Sequence, residues 1–185
     1  MSASPPRTIT VCVDTREKFP ILFPKTLEWH RGGRGRLHTF IVKTKRVRLP
    51  AGDYALLGYD EALIERKGSL RELSNNIFSP DARRSRAAFQ KLIEATENPY
   101  LLLDLTLGEM MTATEHVQDA KIIVDALLDL TQELGLKLLI VGGCRAAGAR
   151  RMLGEFVIRL LLSHAMASKV GPIDVQALVT EGMSP

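Results

Sequence analysis

Apolar and polar residues alternate along the first third of the chain and recur at helical spacing along the rest. Residues 9–13 alternate apolar with small side chains and end at Asp14, which predicts a strand; residues 39–42 and 47–49 predict two more short strands. Pro50-Ala51-Gly52 signals a turn, and residues 54–57 and 62–67 then predict a hairpin around Gly58-Tyr59-Asp60. Between the early strands, residues 30–36 (HRGGRGR) are glycine-rich without an apolar period, the composition of a mobile loop.

Further on, Ala88, Phe89, Leu92 and Thr96 share one face of a helix predicted over residues 82–96, with Pro99 as its stop. A buried strand is expected over 100–105. A helix over 117–134 follows, carrying Ile123, Leu127, Leu130 and Leu134 at helical spacing and ending at Gly135. Residues 137–141 predict another buried strand, and a helix from about 146 to 167 closes the pattern. Apolar strands alternating with amphipathic helices imply an α/β fold, a mixed and mainly parallel sheet covered by helices on both faces.

With 185 residues, 45% of them hydrophobic, the chain can build one core of ordinary size. The apolar runs around Leu101–Leu103 and Leu160–Leu162 are too short to cross a bilayer, and the start, MSASPPRT, has no apolar signal core, so an intracellular, non-membrane protein is expected. Cys12 and Cys144 lie in or beside apolar runs without metal-ligand spacing, so buried thiols are expected. The net charge of +4 is unevenly spread. From Lys25 to Arg48 there are eight basic residues and one acid, Glu28, and Arg83, Arg84, Arg86 and Lys91 form a second cluster. Such patches attract polyphosphates, although either could equally be a solvated face.

The stretch GDYALLGYDEALIERKG, residues 52–68, carries the candidate chemistry. Residues two apart on a strand share a face, so Glu65 and Lys67 point one way and Arg66 the other. The hairpin folds Asp53 back toward Glu65. Two carboxylates beside an ammonium suit a hard divalent cation, with Lys67 orienting a water; the alternative is an exposed hairpin with a surface ion pair.

Gly52-Asp53 followed by Glu65-Arg66-Lys67 resembles the GDX(n)ERKXXXD signature of the XPF family of structure-specific endonucleases, a branch of the PD-(D/E)XK nucleases. Val13-Asp-Thr-Arg-Glu17 is similar to that family's VDxRE, and Leu49-Pro-Ala-Gly-Asp-Tyr54 to its lead into the aspartate. The Arg-rich helix ending Phe89-Gln-Lys-Leu92, the strand over 100–105 and the later ALLDLTQELGLKLLIVGG agree in order and spacing, so the resemblance covers about residues 9–163. It departs at position 71, where the family's trailing acid is replaced by Arg71, with Glu72 one place on.

The resemblance implies a restriction-endonuclease-like fold and metal-dependent hydrolysis of DNA phosphodiesters, on flapped, forked or branched DNA. On this basis residues 9–168 form the nuclease domain, residues 1–8 and 169–185 are tails, and no tandem helix-hairpin-helix domain is present. Carried over, Asp53 and Glu65 would bind Mg²⁺ or Mn²⁺, Lys67 would position water, and Asp14 and Glu17 would flank the metal, Asp14 as a further ligand. Arg66 would meet either a phosphate or a neighbouring acid. DNA contacts are expected from Arg16, Arg31, Arg34, Arg36, Lys43, Lys45, Arg83, Arg84 and Arg86. The rival reading is a non-catalytic DNA-binding or scaffold module; it expects one of Asp53, Glu65 or Lys67 to be lost, and all three are present. Activity on RNA is a third possibility. On the last helix, Met152, Leu153, Phe156, Val157, Leu160 and Leu161 form an apolar face for the sheet, which leaves Ile158 and Leu162 on a charged flank and predicts a homodimer through them.

Overall fold

The computed structural model describes residues 7–30, 37–78 and 82–167. Seven strands form one sheet in the order β2-β3-β1-β4-β5-β6-β7: β1 Arg7–Asp14, β2 Thr26–His30, β3 Leu37–Val47, β4 Tyr54–Leu56, β5 Tyr59–Lys67, β6 Asn98–Leu103 and β7 Lys137–Ile140. β1 and β3, β5 and β6, and β6 and β7 run parallel, whereas β2–β3, β1–β4 and β4–β5 are antiparallel. The sheet is therefore mixed, as expected, but evenly so rather than mainly parallel. The central hairpin and the unforeseen β2 supply the antiparallel half.

Among the described residues five helices connect and cover it: α1 Leu70–Phe78, α2 Ala82–Ala95, α3 Leu107–Met111, α4 Ala120–Leu134 and α5 Ala147–Ala167. On one face Leu73, Phe89, Leu92, Ile123 and Leu127 pack on Cys12, Leu63, Leu101 and Leu103. On the other, α5 lies across Ile9, Val11, Ile64 and Leu102. Both faces are thus covered, and no helix among the described residues is long and apolar enough to cross a membrane. Cys12 and Cys144 are free thiols, the first buried and the second half-buried.

Three local differences from the sequence pattern have simple causes. β3 is one strand where two were expected, because the solvent-exposed Lys43, Thr44, Lys45 and Arg46 hide its continuity. Pro99 does not stop a helix but sits in β6, paired with Leu63, one residue before the ladder to β7 begins at Tyr100, so its missing N–H costs no bond on that side. α4 starts after Asp119, whose side chain accepts from Ile122 N, and not at 117.

The face of α5 also differs from expectation. Gly154 lies where the helix meets the 21–23 segment so closely that a Cβ there would come 2.2 Å from the Leu22 carbonyl oxygen. Ile158 and Leu162 follow Gly154 at successive four-residue steps, on the same core-facing line. They are 0% and 5% exposed, whereas Met152 is 69% and Phe156 41% exposed. The expected dimer contact through Ile158 and Leu162 is thereby overturned: both are spent in the chain's own core. The expected DNA contacts Arg31, Arg34 and Arg36, and the C-terminal tail, lie outside the described residues.

Candidate active site

The carboxyl ends of β1, β5 and β6 and the amino end of the antiparallel β4 meet at one edge of the sheet, the place where open α/β sheets expose their crevices. Gly52 makes the turn into β4 with φ +73°, and a Cβ there would stand 3.1 Å from the Ile64 carbonyl oxygen and 3.2 Å from Leu92 Cδ1. Asp53 is pinned next to it. Its N–H donates to the Ile64 oxygen (2.7 Å), its carbonyl accepts from Asp14 N (2.8 Å), and its Oδ2 accepts from Arg66 N (2.8 Å).

β5 leaves the core as it reaches this edge. Leu63 and Ile64 are fully buried, and Glu65, Arg66 and Lys67 are half-buried. As the two-residue period requires, Glu65 and Lys67 share a side, with Lys67 Nζ 2.7 Å from Glu65 Oε1. Asp53, Glu65 and Lys67 line one cavity of about 560 Å³, together with Arg16, Glu17 and Glu72. A smaller cavity of about 210 Å³ reaches Asp53 and Glu65 from the α2 side and is lined by Lys91, a member of the expected basic cluster.

The charges of this cluster are unequal. Burial, then the negative charge of Glu65, push the Asp53 carboxyl up to about 8; the backbone bond from Arg66 and, to a smaller extent, the charge of Lys67 oppose this. Burial also works against the Lys67 ammonium, but Glu65 and Glu72 outweigh it and hold its pKa above the ordinary lysine value. Lys67 therefore remains a cation and can orient or stabilise charge, but it cannot take a proton. Glu72 Oε1 lies 3.2 Å from Lys67 Nζ and its Oε2 accepts from Gly68 N (3.1 Å). Glu72, one place after the position of the expected trailing acid, is the residue that reaches Lys67, whereas Arg71 lines a neighbouring cavity.

The remaining expected site residues separate into groups. Asp14 does not reach the cavity. Its Oδ1 accepts from Arg16 N (2.7 Å) and Nε (2.6 Å), and its Oδ2 from Arg16 Nη2 (2.9 Å) and Leu49 N (2.8 Å). Four donors saturate a carboxylate, so Asp14, 0% exposed, is a structural anchor where a metal ligand was expected. Burial alone would raise its pKa, but those bonds hold it below the usual carboxylate range. Arg16, expected on phosphate, is the other half of that anchor. Arg66 lines the cavity but spends its guanidinium on the buried Asp104 (Nη2–Oδ2 2.6 Å) and the Phe19 carbonyl (3.2 Å), so it takes the acid in preference to a phosphate. Glu17 lines the cavity, its Oε1 accepting from Phe19 N (2.6 Å).

Lys43 and Lys45 are exposed on β3, away from the cavity. Arg86 pairs with Glu133 and, with Arg83, lines a separate groove between α1, α2 and α4; Arg84 is exposed. Sequence reasoning missed Asp104 and Arg145. An acid directly after the buried LLL of β6 was a usable signal for the first, while the second depends on how the chain turns from β7 into α5.

Among the described residues no three His, Cys, Asp or Glu side chains converge closely enough to hold a metal alone. Asp53 and Glu65 still fit one. Mg²⁺ commonly takes one or two carboxylates and completes its shell with water and substrate phosphate, and a carboxyl raised by burial and a neighbouring acid, as Asp53 is, is the group that a cation would neutralise.

No protein-family profile and no curated protein sequence matches the chain. Solved structures do, among them two of XPF. XPF from Aeropyrum pernix in complex with DNA superposes with a TM-score of 0.54 at 17% identity, over 89% of this chain and 68% of that one. XPF from the same organism without DNA gives 0.53 at 18%, over 82% and 60%. At such identity the likeness establishes the fold: the chain has the mixed α/β architecture of the XPF structures, which its VDTRE, GDY and ERK stretches imply.

Proposed function

We propose that the chain is a divalent-metal-dependent endonuclease that hydrolyses DNA phosphodiester bonds, with branched, forked or flapped DNA as substrate. The observation that carries this reading is the Asp53 carboxyl beside Glu65, opening into a cavity of about 560 Å³ in which Lys67 is held by Glu65 and Glu72. Asp53 and Glu65 would hold Mg²⁺ or Mn²⁺, which when bound supplies Lewis-acid polarisation of the scissile phosphoryl group. Lys67, fixed by Glu65 and Glu72, faces the charge that develops on the phosphoryl oxygens and the attacking water. Arg66 and Asp104 brace β5 against β6, and Asp14 with Arg16 braces β1, so the carboxylates are held on strand ends. The similar XPF structure bound to DNA supports the substrate class.

Labelled linear, flap, fork and four-way DNA, each incubated with Mg²⁺, Mn²⁺ or EDTA, test the reading. Cleavage is expected with either metal and none with EDTA. Asp53→Ala, Glu65→Ala and Lys67→Ala should each lower the rate by at least about a hundredfold while leaving DNA binding within a few-fold. Full cleavage by the Asp53 or Glu65 variant would refute the site.

A further inference from the structure

Next to the catalytic cavity is a second one of about 620 Å³. Ser69 and Arg145 line both, so the two form one groove with Arg145 at the junction. The character changes across that junction. The first cavity is walled by charged side chains, whereas the second has Leu70, Leu105 and Gly108 in its wall and Arg71, Thr112 and Arg145 around it.

The second cavity is lined by two arginines and two glutamates, and they are engaged unequally. Arg71 is exposed, and its side chain has no hydrogen bond or ion pair among the described residues. Its position follows from the helix start: Ser69 Oγ accepts from Glu72 N, which turns Glu72 to Lys67 and leaves Arg71 a hundred or so degrees round the helix, over the second cavity. Arg145 contacts Glu109 Oε1 through Nη2 (3.0 Å) and stays 65% exposed, with the rest of its guanidinium fork open. Glu109 is itself fixed, its Oε2 accepting from Thr106 N (2.7 Å) and Oγ1 (3.0 Å), so it acts as a strut that holds Arg145 between the cavities. The other acid there, Glu115, lies 3.1 Å from His116 Nε2.

An apolar wall with the Arg71 guanidinium unengaged among the described residues and that of Arg145 only partly engaged matches a nucleotide: the base has an apolar face, and the phosphates on either side would meet the two guanidinium groups. A volume of about 620 Å³ accommodates a group of that size. We propose that this second cavity is a nucleotide subsite, which receives an unstacked base of the cleaved strand beside the scissile phosphate while Arg71 and Arg145 hold the flanking phosphates. The inference rests on the nuclease reading and adds to it. Arg71, which breaks the family pattern, becomes a residue that selects DNA with an unpaired nucleotide at this place, because a base stacked in a duplex cannot enter the cavity without the cost of extrusion.

The test is equilibrium binding by the non-cleaving Asp53→Asn chain, titrated against a dye-labelled duplex bearing a short unpaired branch and against the same duplex fully paired. Adding Arg71→Ala or Arg145→Ala should weaken binding to the branched DNA about tenfold and to the paired duplex less than about twofold. Thr112→Trp, which fills the cavity from an exposed position, should abolish the preference, and 2-aminopurine at the first unpaired position should change fluorescence with Asp53→Asn alone but not with Thr112→Trp added. Equal losses on both DNAs would make the arginines general backbone contacts, and no loss on either would make them bystanders; each result overturns the proposal. If Thr112→Trp does not fold, the two arginine variants, both at solvent-facing positions, decide the matter. Failure of the nuclease reading shows separately, as absence of cleavage of any DNA by the parent chain with Mg²⁺ or Mn²⁺.

Discussion

The two carboxylates of the site should respond oppositely to neutralisation. For Asp53, burial and the charge of Glu65 outweigh the Arg66 N–H and the charge of Lys67, and its pKa is pushed up to about 8 from an ordinary 3.8, so the folded chain binds this proton more tightly than the unfolded one. Its contribution to stability is therefore full at acid pH and is lost as pH rises from about 4 to about 8. At about 1.4 kcal/mol per unit, an enclosed group would cost the native state roughly 4 kcal/mol at pH 7, and about 2 kcal/mol once the water reaching this open cavity is allowed for. Asp53→Asn removes the charge and keeps an oxygen to accept from Arg66 N, so it should stabilise the metal-free protein by about 2 kcal/mol at neutral pH and by nothing at pH 4. Glu65→Gln should act the other way. It removes the charge that neutralises the half-buried Lys67 at 2.7 Å, keeping only a neutral acceptor there, and leaves Glu72 as the remaining anion at 3.2 Å, a loss of about 1–3 kcal/mol.

Urea unfolding in EDTA at several pH values between 4 and 8.5 measures both. The parent and Asp53→Asn curves should coincide at the acid end and diverge upward, and Mg²⁺ should restore the parent at high pH while leaving the variant unmoved. Parallel pH profiles, or a variant less stable than the parent at pH 8, would refute the reasoning, because Asp53 would then have a compensating partner.

Three further outcomes follow from the packing. Asp104→Asn should cost about 3 kcal/mol in urea unfolding, since Arg66, with its side chain only 15% exposed, would lose its neutralising acid; an effect under about 0.5 kcal/mol would mean that solvent already screens the pair. Gly154→Ala should cost about 2 kcal/mol or more in the same measurement, because its Cβ would meet the Leu22 oxygen at 2.2 Å and neither helix nor loop backbone yields readily. Ile158→Asp should prevent folding as seen by circular dichroism, while Phe156→Asp should shift the melting temperature by only a few degrees; the reverse order would restore the expected outward-facing Ile158.

What could be read from the sequence, and what could not, divides along a physical line. Asp53, Glu65 and Lys67 were legible because strand periodicity and one glycine turn fix which way short, neighbouring segments point. Asp14 was misplaced because its pattern, an acid closing a buried strand, is the same for a ligand and for an anchor; the difference is Arg16 folding back two residues and the Leu49 amide arriving from 35 residues away. On α5 the apolar residues are numerous enough to draw two stripes that share Leu153, Val157 and Leu161, and only the close approach of the 21–23 segment at Gly154 selects the one containing Ile158 and Leu162. The register at Arg71 and Glu72 shows the same dependence at a smaller scale. A family spacing assumes where α1 begins, but the Ser69 cap decides it, and a start one residue later delivers the acid to Lys67 from position 72. The charge at 71 is turned toward the neighbouring cavity, so the departure from the motif redistributes charge along the groove and leaves Lys67 with an acid at 3.2 Å.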